Sequence, residues 1–144
     1  MKNLILCLFL FLLSLNIFSQ DSVYISPELK PLVEEYILEA EERCIDVREH
    51  INQMSYIAID TSMQFPLLGL ASRDGKFVFI GAYCILDRTV LKIVLFHELT
   101  HSIFKIGHTN RSQYDIMRDR SPESFRIYDD IPFLEERLDE LFKN

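Results

Sequence analysis

The run DRTVLKIVLFHELTH, residues 87–101, decides how the rest of the chain is read. Asp87 is a residue type that caps helix N-termini by accepting from free backbone N–H groups. Val90, Leu91, Val94, Leu95 and Leu99 follow at helical spacing and predict a buried helix. That helix ends in His97-Glu98-Leu99-Thr100-His101. Positions four apart on a helix sit on one face, one turn above each other. Two imidazoles placed so can reach one metal ion, and a glutamate after the first projects beside it. Leu95, Phe96, Leu99, Ile103 and Phe104 make the surroundings thoroughly apolar. Titratable groups in such a helix cost free energy unless they are paired or metal-bound. The bland alternative, histidines that fall on a helix by chance, leaves that cost uncompensated.

Upstream, Leu29, Leu32, Val33, Tyr36, Ile37, Ala40, Cys44, Val47 and Ile51 form one apolar stripe and predict a long N-terminal helix, opened near Ser26-Pro27 or Pro31. Glu34, Glu35, Glu39, Glu41 and Glu42 read as its solvated side. His50 falls near the stripe and reads as a boundary residue rather than a ligand. Met54–Ile59 and Lys76–Tyr83 read as strands, and Phe65–Ala71 as a poorer one. Ser72-Arg73-Asp74-Gly75 carries a hairpin signal, because Asp-Gly supplies positive φ angles. Downstream, Gly107 is a helix stop, a short helix spans 121–128, and Pro132 opens a last helix with Leu134, Leu138, Leu141 and Phe142 on one face. The expected class is α+β: one small domain with an N-terminal helix, a short antiparallel or mixed sheet, the metal helix and C-terminal helices.

Residues 1–20 read as a secretory signal peptide: Lys2, an apolar run from Leu4 to Phe18, and small Ser19. The run of about 15 residues is short of the about 20 that a membrane span needs. The expected product is secreted or periplasmic, residues 21–144 form the domain, and no stable span remains. Removing residues 1–20, whose only charge is Lys2, takes the formal charge from −7 to −8. That acidity argues against nucleic acid as a partner. Cys44 and Cys84 remain, and an exported pair permits a disulfide as readily as two buried thiols. Oligomeric state is not encoded in any motif.

A catalytic zinc normally takes three protein ligands and keeps a fourth position for water. His108, seven residues after His101, is the first candidate for the third ligand; a left-handed Gly107 would turn the chain back. Glu123 is the second, carried on a following helix. Asp115 and Asp119 read as loop caps or as partners of the ligands.

HELTHSIFKIGH, followed by Tyr114-Asp115-Ile116-Met117, resembles the metzincin zinc peptidases. Their pattern is HExxHxxGxxH, with a methionine in a tight turn beneath the metal. The resemblance implies that His97, His101 and His108 bind Zn2+, that Glu98 is the general base, and that Met117 is the turn methionine. Two departures mark a variant, HExxHxxxxxxH: Phe104 stands in the glycine's place, and the third histidine comes one residue late. The resemblance also implies that strand 76–83 lies along the cleft and pairs with substrate. The reaction expected is peptide hydrolysis, with a peptide or protein as substrate; Tyr114 and Tyr128 are weaker candidates for oxyanion stabilisation. The alternative is an exported zinc-binding interaction module without catalysis, although pure metal binding does not call for Glu98.

Overall fold

A computed structural model describes residues 22–108, 116–117 and 134–142. Among these, the elements in chain order are β1 (Tyr24–Ile25), α1 (Lys30–Glu42), α2 (Arg48–Asn52), β2 (Tyr56–Asp60), β3 (Gly69–Ala71), β4 (Phe77–Gly81), a 3-10 turn (Ala82–Leu86), α3 (Arg88–Phe104) and α4 (Leu134–Leu141). The class is α+β, as expected. The signal-peptide residues and the segment expected as a helix at 121–128 lie outside the described residues. No described helix is long and apolar enough to cross a membrane.

The sheet is mixed, with spatial order β1-β2-β4-β3. β1 and β2 pair in parallel, as do β2 and β4, whereas β3 runs antiparallel to β4. Burial explains the central position of β2 and β4: Ile57, Val78 and Ile80 are inaccessible to solvent. The connection from β3 to β4 is the expected turn. Gly75 has φ 74°, and the Ser72 hydroxyl donates to Asp74 while accepting from the N–H groups of Lys76 and Phe77.

α3 packs against the sheet on one side and α1 on the other. Its N-terminus is held by Asp87, which accepts from the N–H of Thr89 at 2.8 Å and of Val90 at 3.2 Å. The buried Tyr36 hydroxyl of α1 lies 3.1 Å from Thr100 Oγ1. Its ring meets Phe96 edge-on at 5.0 Å and Phe142 at 5.2 Å. Lys92 pairs with Glu35 at 2.6 Å across the same interface. The side of α3 opposite the histidines is thereby fixed by packing and by two polar links.

The structure corrects four expectations. The single N-terminal helix is two helices. Cys44 adopts φ 61°, its N–H donates to Glu41 O, and the Ile45 N–H donates to Ala40 O. This is the paired bond pattern of a left-handed C-terminal cap, made without glycine. Cys44 is consequently exposed rather than on a buried stripe; of the two alternatives left open, Cys44 and Cys84 are free thiols, with only Cys84 buried. α3 ends at Phe104, and Lys105, not Gly107, takes the left-handed conformation, with φ 56°. Finally, β4 lies inside the sheet, so strand 76–83 offers no free edge; among the described strands the edges are β1 and β3.

Candidate metal centre

The three histidines come together from two segments. His97 and His101 stand one turn apart on α3, and His108 returns to them four residues after the helix ends. His97 Nε2 lies 2.9 Å from His101 Nε2 and 3.1 Å from His108 Nε2. The sharp left-handed bend at Lys105 is what allows this return. A helix continued through Gly107 would carry His108 further along its axis, at 1.5 Å per residue. His50 is exposed on α2 and takes no part in the group.

The opposite ring nitrogens are tied to the backbone. His97 Nδ1 donates to Ile116 O at 2.6 Å, and His101 Nδ1 donates to Ile106 O at 2.6 Å. A carbonyl oxygen only accepts, so each Nδ1 carries the hydrogen, and in the neutral ring each Nε2 presents a lone pair. Lone pairs turned on one another at about 3 Å repel unless a cation lies among them. The donor set therefore fits a metal ion: neutral imidazole is the ligating form, and backbone bonds fix its tautomer and direction. Nitrogens that share one metal ion at bonds of about 2 Å stand about 3 Å apart, close to the 2.9 and 3.1 Å separations from His97. Burial also holds the His101 pKa below its ordinary value, aided by the neighbouring His108 and opposed by the Ile106 bond.

Ile116 and Met117 form a turn, and both are buried. The Ile116 carbonyl ties this turn to His97, which puts Met117 next to the residue that orients the first histidine. Nothing in the sequence signals that bond. Glu123, Asp115, Asp119, Tyr114 and Tyr128 lie outside the described residues.

Glu98 faces a cleft of about 710 Å³ shared with the three histidines. One wall is the segment Pro66–Arg73, which includes β3; the other is α3 with Lys105–His108, and Ile116 closes one side. The carboxylate is only 8% exposed. Burial raises its pKa to about 7, against the lowering effect of a hydrogen bond from the Ala71 N–H. Two backbone features of β3 make room for it. The Ala71 N–H points away from β4, because the ladder to β4 uses the flanking Leu68 O and Ser72 N–H. Gly69 has no side chain where a Cβ would lie 2.7 Å from Glu98 Cγ.

Comparison with protein-family models, with curated proteins and with solved structures finds no match for this chain. The site is thus defined by its own geometry: three histidines within ligating distance of one another, and a buried carboxyl group in the same cleft.

Proposed function

We propose that this chain is an exported, metzincin-like zinc peptidase, with His97, His101 and His108 as the metal ligands and Glu98 as general base. The observation that carries the reading is the pairing of convergent Nε2 atoms with Glu98 in one open cleft. A structural zinc site is closed by four protein ligands, whereas three ligands beside a cleft leave a position for water. Zinc held there supplies Lewis-acid polarisation of a carbonyl group and lowers the pKa of water.

The protein's own groups do the rest. Glu98 takes a proton from the attacking water as the water oxygen bonds to the scissile carbonyl carbon. It returns that proton to the amide nitrogen as the C–N bond breaks, leaving a carboxylate and an amine. A buried carboxyl group facing the cleft of the three histidines is placed for both transfers. The Ala71 N–H holds one face of the carboxylate in place. Substrate backbone pairs with the outward groups of edge strand β3 other than the Ala71 N–H, which Glu98 occupies; β3 replaces the strand expected from sequence.

The test is cleavage of a mixed peptide pool by zinc-loaded protein, followed by mass spectrometry. Wild type cleaves, whereas Glu98→Gln binds zinc and does not cleave. A wild type that binds zinc stoichiometrically and cleaves nothing points to the alternative, a zinc-binding interaction module.

A further inference from the structure

The two ends of the cleft differ in chemistry. At the end formed by the start of the β3 segment and the middle of α3, the lining is Pro66, Leu67, Leu68, Ile93 and Val94. At the other end it includes Arg73 and Lys105, beside Ser72, Ile106 and Gly107. Glu98 is the one carboxyl group among the described lining residues, and it is buried. In a chain of formal charge −7, two cations lining one cleft stand against the general balance.

We propose that Arg73 and Lys105 form a carboxylate-binding end of this cleft, selecting peptides with an acidic side chain close to the bond held at Glu98. The inference rests on the peptidase reading for the site and adds the class of substrate. The spacing follows from β3. Ala71 donates to Glu98, and Arg73 lies two residues further along the chain. Arg73 follows β3 at the start of the hairpin turn; two residues of chain span at most about 7 Å, so its backbone stands within the reach of about two residues of extended substrate from the Glu98 contact.

The two cations are placed by different means. The Lys105 ammonium lies over the hairpin turn, where a Cβ at Gly75 would collide with its Nζ. The C-terminal end of α3 also favours a cation there, and Asp74 feels its charge. The Asp74 carboxylate already accepts from the Ser72 hydroxyl and the Lys76 N–H, and it does not line the cleft. Arg73 is exposed and forms no side-chain hydrogen bond or ion pair with any described residue. Its guanidinium is therefore available, and its planar fork matches a carboxylate in two-point contact.

Binding and cleavage, measured separately, test this. Two fluorescein-labelled octapeptides, identical except for Glu or Gln two residues from a central apolar pair, are titrated into zinc-loaded Glu98→Gln protein and followed by anisotropy. The Glu peptide is expected to bind roughly three- to tenfold more tightly, as two partly exposed ion pairs allow. The advantage shrinks as salt rises. Arg73→Gln with Lys105→Gln removes the preference and leaves affinity for the Gln peptide unchanged; Arg73→Glu reverses it. Equal binding of the two peptides, no binding of either, or a preference that survives the double variant overturns the proposal. Preference in binding without cleavage by the protein bearing native Glu98 overturns the peptidase reading alone; cleavage without preference overturns the carboxylate end alone.

Discussion

Gly69 lies against Glu98 so closely that a Cβ at residue 69 would stand 2.7 Å from Glu98 Cγ and 2.8 Å from its Oε1. Val94 Cγ1 is nearly as near, at 2.9 Å, so a side chain there has no direction in which to yield. Gly69→Ala must therefore displace the carboxyl group or the edge strand. With Glu98 as the proposed general base, its displacement by about 1 Å costs on the order of 100-fold. The expected result is a loss of that order in kcat/KM with zinc content unchanged, read by peptide turnover and metal analysis on the same preparation.

Glu98 also predicts a pH dependence for the metal-free protein; a dication nearby would change the local pKa logic. Its folded pKa of about 7 exceeds its ordinary value of 4.5, so the fold favours the protonated form. That contribution is complete below about pH 4.5 and is lost as pH rises through about 7, on the order of 3 kcal/mol in all. His101, whose pKa burial lowers, acts in the opposite direction near the same range. Denaturant unfolding of the metal-free protein and of Glu98→Gln isolates the first effect. Relative to wild type, Glu98→Gln becomes more stable as pH rises from 5 to 8.

The two cysteines are expected to differ in reactivity. Cys44 is exposed in its left-handed cap, whereas Cys84 is buried and its thiol is pushed up to about 11. The thiolate is the reactive form. Alkylation of native protein under non-reducing conditions labels Cys44 within minutes and Cys84 only after unfolding, as peptide mapping reads. Equal labelling of both, or of neither, contradicts the assignment.

Asp87 holds the first turn of the helix that carries the site. Asp87→Ala leaves the N–H groups of Thr89 and Val90 without their cap, at a cost of about 1 kcal/mol. The drop appears in the denaturation midpoint. Because His97 lies more than two turns further on, zinc binding stays intact.

Local signals were legible in the sequence. Asp87, the Asp74-Gly75 turn and the apolar periodicity of 90–104 each act within a few residues, and each has its expected place. So do His97, His101 and His108, brought within ligating distance of one another. The break at Cys44 was hidden because Val47 and Ile51 continue the stripe and are indeed buried, on a helix that has changed direction. A non-glycine cap leaves no compositional mark, which also explains why the bend fell at Lys105 and not at Gly107. β1 spans two residues, too few for any periodicity. Its pairing with Tyr56 and Ile57, the internal place of β4, and the closeness of Gly69 to Glu98 are long-range facts of packing. The Ile116 carbonyl behind His97 is of the same kind, because any residue type can supply a carbonyl oxygen.

His97, His101 and His108, within ligating distance of one another, are proposed to hold one metal ion between them. Zinc per chain, measured by elemental analysis after dialysis against zinc and then buffer, tests it most directly. One equivalent is expected for wild type and for Glu123→Ala, and well under one for His97→Ala, His101→Ala and His108→Ala. Wild type that retains no zinc, or a His108→Ala protein that keeps its zinc while Glu123→Ala loses it, would contradict the claim.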